Sequence, residues 1–268
     1  MGKSQWIAIA VTSFLLLFTY WGCPVRPPEL EEGLTQAPLA ATGLESLIRA
    51  ARADLTPAAM ATLASLEERL ETQTDDEQRM DLLEQLAGEW YRAGHPAISG
   101  IYAERIAEQL STVDAWSIAG TTFTICIQRE EEDNKTRQFC ANQAEKAYQA
   151  AISLEPDDVN NRINLALTYV DAPAQGNPMQ GILQLLDLVE KYPREPRVYT
   201  TLAQLAIKTG QLDKAAERLE TAAELDPGSP DALCPLARVY DNLGNTEKSA
   251  IFAARCTAAL EEKSANDN

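Results

Sequence analysis

Residues 126–140 read CIQREEEDNKTRQFC, two cysteines bracketing one of the most charged stretches of the chain. Thiols at that spacing could hold a metal, act as a reactive pair or close a disulfide. A metal needs further soft ligands. The only histidine, His95, lies between Gly94 and Pro96 and reads as a polar turn residue, and the cysteines show no C-x2-C spacing. A reactive pair needs a lowered thiol pKa, and the neighbouring EEED run would raise it. Acidic pairs such as Glu67 with Glu68 and Asp75 with Asp76 fall on amphipathic helices, where carboxylates are solvated, and PDD and EEED lack the spacing of a calcium loop. No phosphate-cradling glycine loop, nucleophile elbow or H-E-x-x-H string occurs. The chain is therefore expected to be non-enzymatic, with no catalytic residue, no metal site and no cofactor.

The elements that carry these residues follow from composition. Ala, Leu and Glu dominate the 268 residues and β-branched runs are scarce, which favours helix. The formal net charge of −17 repels phosphate backbones and argues against a nucleic-acid partner. The acids are dispersed rather than blocked, so solubility explains them.

The first segment differs from the rest. Trp6 to Cys23 carries no charge, and at ~1.5 Å per residue it covers about 27 Å, close to the hydrocarbon thickness of a bilayer. Trp6 at one end and Tyr20 and Trp21 at the other suit aromatic belts. Lys3 before the run and Glu29, Glu31 and Glu32 after it favour an N-terminus inside. An uncleaved anchor is the first reading. Cleavage lacks a small-x-small site behind the apolar run. Lipidation at Cys23 has Gly22 in its favour and the bulky Tyr20 and Trp21 against it. The expected organisation is a transmembrane signal-anchor over 1–23 and a Pro- and acid-rich linker over 24–41. Capping helices over 42–78, about five helical repeats over 79–263 and a disordered tail over 264–268 complete it. The localisation implied is the cytoplasmic membrane, single-pass, with the body periplasmic.

The repeats are clearest over Arg197–Pro227. Tyr199, Leu202, Ala203 and Ala206 share one face of a first helix, Gly210 ends it, and Ala215, Leu219 and Ala222 share one face of a second. Small residues at Ala203, Ala215 and Ala222 let the helices approach closely. The pattern recurs in Leu233, Leu236, Ala237 and Tyr240, then Gly244, Ser249, Ala253 and Cys256, and Tyr199 and Leu233 are 34 residues apart. Earlier units carry Leu165, Ala166 and Tyr169 before Gly181, Leu185 and Leu188, then Trp116, Ala119, Gly120 and Phe123 before Ala144, Tyr148 and Ala151. A weaker unit has Leu86, Ala87 and Trp90. This period and pattern resemble the tetratricopeptide repeat over Arg79 to Leu260. The strings NLALTYV and NPMQGI resemble, more finely, a membrane-anchored tetratricopeptide family of Bacteroidetes envelopes.

The resemblance implies an all-α fold: a right-handed superhelical stack of helix-turn-helix repeats with an N-terminal transmembrane helix, its first helices lining a concave surface. On that surface it places Tyr91, Arg92, Ser117, Thr121, Asn160, Ile163, Leu167, Thr200, Gln204, Lys208, Arg238 and Asp241 as partner-binding residues. The Lys and Asn pairing that clamps a peptide carboxylate in chaperone-binding members is not seen at the matching places. The expected function is a membrane-anchored scaffold docking an unknown protein or peptide, its oligomeric state open. The alternatives are an ancillary assembly factor of an envelope complex, at a secretion translocon or in cytochrome maturation, and an enzyme with an unrecognised site in the N-terminal helices.

The bracketed cysteines now find a role. Ala203 and Ala215 are 12 residues apart, whereas Gly120 and Ala144 are 24 apart, so 12 residues are inserted at that turn, with helix ends expected near Ile125 and Cys140. Cys126 and Cys140 stand at the two stems, where antiparallel helices bring them within disulfide reach. The charged insert is not expected to pack, and a strap there would stabilise by roughly 3 kcal/mol. Cys234 and Cys256 also flank a turn, but Cys256 takes the packing place of Ala222, so their pairing stays open.

Overall fold

The computed structural model describes residues 44–130, 135–173 and 177–266. The apolar run Trp6–Cys23, with Cys23 itself, and the linker 24–41 lie outside the described residues. No helix among the described residues is long and apolar enough to cross a membrane. The chain forms two compact units, Met1–Asp54 and Leu55–Asn268. In the first, a helix, α1, covers 44–53.

The second unit is helical throughout its described length. It opens with α2 (Pro57–Thr72), whose start is set by Thr56: the Thr56 hydroxyl accepts the Ala59 N–H at 3.2 Å, and Pro57 opens the first turn. Helix α2 packs through Leu63 and Leu66 toward α3. Five hairpins follow among the described residues: α3 (Asp76–Arg92) with α4 (Pro96–Leu110), α5 (Val113–Arg129) with α6 (Lys135–Leu154), α7 (Val159–Asp171) with α8 (Met179–Lys191), α9 (Pro196–Lys208) with α10 (Leu212–Leu225), and α11 (Pro230–Asn242) with α12 (Thr246–Asn266). Each second helix also packs on the first helix of the next hairpin, so the core is a continuous seam rather than a central globule.

The seam is built from the residues that share faces in the sequence. Leu202, Ala203, Ala206, Ala215, Leu219 and Ala222 are all buried. Between α4, α5 and α6 one cluster of the core is built of alanine: Ala103, Ala107, Ala115, Ala119 and Ala147. Closest approach falls at Gly181, where a Cβ would stand 2.2 Å from the Ala166 carbonyl oxygen, so α8 crosses α7 only because that side chain is absent. The short turns use Gly94, Gly210 and Gly244, at φ of 90°, 72° and 74°, the left-handed region that a glycine enters without steric cost.

Three local features differ from the sequence reading. Most of the insert between Gly120 and Ala144 is helix rather than loop: α5 runs on to Arg129 and α6 begins at Lys135. The insert packs because its apolar residues keep helical register. Ile127 is fully buried, and the Phe139 ring meets Phe123 edge-on at 6.1 Å between centroids. Arg137, within the charged string, donates to the carbonyls of Ile127 (2.6 Å) and Glu130 (2.9 Å) at the end of α5. It also donates to that of Asp171 (2.6 Å) at the end of α7. One guanidinium thus satisfies orphan carbonyls of two helix C-termini and meets the negative end of both dipoles. At the other end of the chain, α12 continues to Asn266 through residues expected to be a tail, Lys263 in its last turn complementing the dipole. Ala253, given a packing place by the repeat pattern, is exposed.

Both cysteine pairs are bonded. Cys126 and Cys140 have Cα atoms 6.1 Å apart and both are fully buried. Cys234 and Cys256, left open by the sequence, are also joined, at a Cα separation of 5.0 Å. Each bond ties the first helix of a hairpin to the second.

Replacing both Cys126 and Cys140 with Ala should lower stability by about 3 kcal/mol under oxidising conditions. Urea unfolding measures that loss, and peptide mapping of the unsubstituted chain without reduction should recover both pairs as linked peptides. Arg137→Met keeps the aliphatic stem and removes the guanidinium. It should cost about 2–4 kcal/mol, with Arg137→Lys recovering only part, since an ammonium cannot reach both helix ends.

Candidate functional site

Successive first helices lie against one another along most of the stack: α5 on α7, α7 on α9, α9 on α11. Helices α3 and α5 are the exception and do not pack closely. The gap between them exposes one side of α4 and leaves a groove of about 530 Å³. Glu84, Gly88, Tyr91 and Arg92 of α3 form one wall, and Asp114, Ile118 and Thr122 of α5 the other. Ser99, Ala103, Ile106 and Leu110 of α4 form the floor.

Alanines at 87, 103 and 115 keep the space open, whereas large side chains would fill it. The rim is apolar in an otherwise acidic protein: Ile118 is 61% exposed, Leu110 49% and Tyr91 40%. Ile118 projects outward because α5 already commits Ala115, Ala119 and Phe123 to the seam, and 118 lies off that face. One end of the groove is held by Arg129, whose guanidinium stands 5.5 Å from the Tyr91 ring centroid. Arg92 is paired with Glu89 at 2.5 Å.

The partner-binding residues expected from the sequence scatter. Tyr91 and Arg92 line this groove. Ser117 turns away from it, donating to Asn161 Oδ1 on α7 at 2.9 Å, and Thr121 is exposed beside the Tyr148 hydroxyl. Asn160 is exposed and accepts from Arg197, which also donates to Asn164 at 2.9 Å, a polar band joining α7 to α9. Gln204, Lys208, Arg238 and Asp241 are exposed on α9 and α11, away from the groove. Two assignments are corrected. Ile163 is fully buried with Leu185, Val198 and Leu202, and Thr200 is buried with its hydroxyl donating to the Arg197 carbonyl at 3.1 Å. Leu167 packs at the edge of the same cluster as Ile163. These positions meet the next first helix instead of solvent, because α7 and α9 are in contact.

The sequence reading missed Glu84, Ile106, Leu110, Asp114, Ile118 and Thr122. The one available signal was Ile118, an apolar residue out of phase with Trp116, Ala119 and Phe123.

Among the described residues no group of three or more His, Cys, Asp and Glu could hold a metal ion. His95 stands at the N-terminus of α4 with its ring edge-on to Trp90, 5.8 Å between centroids. The shifted groups are structural. Tyr169 is pushed up to about 12 by burial and by donating to Glu145 at 2.6 Å. Lys248 is pushed up to about 12 by its hydrogen bonds to Tyr240 and then Glu220. Burial raises Tyr102, Tyr148 and Tyr240, and the bond to Glu104 raises Lys146. Each of these groups holds its proton more tightly in the folded chain than in the unfolded one.

Comparison with known proteins agrees on the repeat. One tetratricopeptide repeat family model matches residues 171–230 and another residues 206–263. Cellulose synthase operon protein C of Pseudomonas fluorescens (strain SBW25) is 29% identical over 108 residues, 40% of this chain. The chain spans 8% of that relative's length. Among solved structures, a crystal structure of MamA is 14% identical at a TM-score of 0.44, covering 67% of this chain and 96% of that one. MamA residues 41 to the end from Desulfovibrio magneticus RS-1 is 15% identical at 0.41, covering 73% and 100%. The chain carries tetratricopeptide repeats.

The raised tyrosines and lysines fix the sign of an alkaline transition. The unfolded chain releases these protons first, from about 10 for tyrosine and 10.5 for lysine, so stability is full below pH 10 and falls as pH rises toward 12. Urea midpoints measured from pH 9 to 11.5 should hold up to about pH 10 and fall beyond it. Tyr169→Phe, which removes one of these releases, should make the decline shallower.

Proposed function

We propose that the chain is a membrane-anchored interaction scaffold that docks a protein or peptide partner on the inner, concave face of a right-handed tetratricopeptide superhelix, and that it is not an enzyme. The observation that carries this reading is the open groove between α3 and α5, with Ile118, Leu110 and Tyr91 exposed at its rim. Apolar side chains grouped in a concavity gain by being covered.

The anchor rests on the uncharged run Trp6–Cys23, and the orientation on Lys3 before it and the acids after it. The two disulfides support an oxidising compartment, which suits a periplasmic body. A narrower form of the same reading is an ancillary factor in assembling an envelope complex, such as a secretion translocon or the cytochrome-maturation machinery.

A photo-crosslinking amino acid placed at Ile118 in cells tests docking directly. It should yield adducts of one discrete mass. The same residue placed at Leu183, 59% exposed on the second helix α8, should yield none. Adducts from Leu183 and none from Ile118 would reject the groove as the docking face.

A further inference from the structure

Around the groove the carboxylates of Glu84, Glu89 and Asp114 outnumber the guanidinium groups of Arg92 and Arg129. Arg92 is committed to Glu89, and Arg129 is held over the Tyr91 ring. The acids are not answered in this way. Glu84 on the α3 wall and Asp114 on the α5 wall are exposed, and no cation among the described residues lies within ion-pair distance of either. The apolar patch thus carries one unpaired carboxylate on each wall.

An occupant that covers Ile118 and Leu110 draws water away from those carboxylates. Desolvating an unpaired carboxylate is costly, and the cost is removed when the occupant brings a cation to each wall. An occupant with its own acids meets like charge on both sides, which rejects it. The net charge of −17 acts in the same direction at long range, speeding the encounter with a cationic segment.

Building on the docking reading above, we infer that the α3–α5 groove selects a peptide segment with bulky apolar side chains flanked by Lys or Arg. Ile118, Leu110, Ile106 and Tyr91 receive the apolar side chains, and Glu84 and Asp114 pair with the flanking cations. The apolar contact supplies affinity, and the two carboxylates supply discrimination.

The test uses the full chain in a neutral detergent, with empty micelles as the blank, and two fluorescent synthetic peptides. Both carry the same leucine core; one is flanked by lysines and the other by glutamates. Fluorescence anisotropy should give at least roughly tenfold tighter binding of the lysine peptide, and the ratio should shrink as salt rises. Glu84→Lys with Asp114→Lys should erase or invert the preference, and Ile118→Asp should abolish binding of the lysine peptide. All three positions are exposed, so the helices are retained, as circular dichroism will show. Equal binding of the two peptides overturns the inference. So does an unchanged preference in the double charge reversal. Binding that survives Ile118→Asp also overturns it, since that is general attraction to an acidic surface. Loss of discrimination with crosslinking from Ile118 intact removes this ligand class and leaves the docking reading standing; loss of both removes the docking reading as well.

Discussion

Close approach of helices at small side chains is the constraint on which the rest of this structure depends. The hairpins bury alanine against alanine, as at Ala103, Ala107, Ala115, Ala119 and Ala147, and seat their buried aromatics over glycine, Phe123 on Gly100 and Tyr148 on Gly120. A helix pair packed on methyl groups gains many dispersion contacts per unit length, but only at short interaxial distance. Gly181 marks the limit, where even a methyl would meet the Ala166 carbonyl. Short turns follow from the same demand. A turn of two or three residues holds two helices near each other without a large loop-closure cost.

The hairpin of α5 and α6 keeps this geometry without a short turn. Its connection, residues 130–134, is longer than the turns at Gly94, Gly210 and Gly244, and two devices hold it together. The Cys126–Cys140 bond joins the helices inside the seam, where both cysteines are fully buried. Arg137 ties the ends of α5 and α7 together through three carbonyls, so the extended hairpin is fastened to its successor as well as to itself. The Cys234–Cys256 bond does comparable work in the hairpin of α11 and α12.

The groove follows from the same rules. Where successive first helices touch, their facing residues become core, as Ile163 and Thr200 do. Where α3 and α5 stand apart, side chains in related positions remain at the surface and enclose a cavity. Binding surface and core are in this sense the two outcomes of one variable, the spacing of neighbouring first helices.

What the sequence determined by itself is local. The 34-residue period, the paired faces of α9 and α10 and the bracketing of a long turn by Cys126 and Cys140 are all encoded in residue type and spacing within one hairpin. A helix face that packs against its own partner helix leaves a periodic signature. The tertiary structure alone decided that α5 and α6 run through the charged insert and that Cys234 meets Cys256. It alone also decided what depends on neighbours of neighbours: that Ile163 is core and that Ile118 borders a groove. The last two depend on the angle between successive hairpins. That angle is set by side chains from three or four helices at once, and no periodicity in a single helix records it.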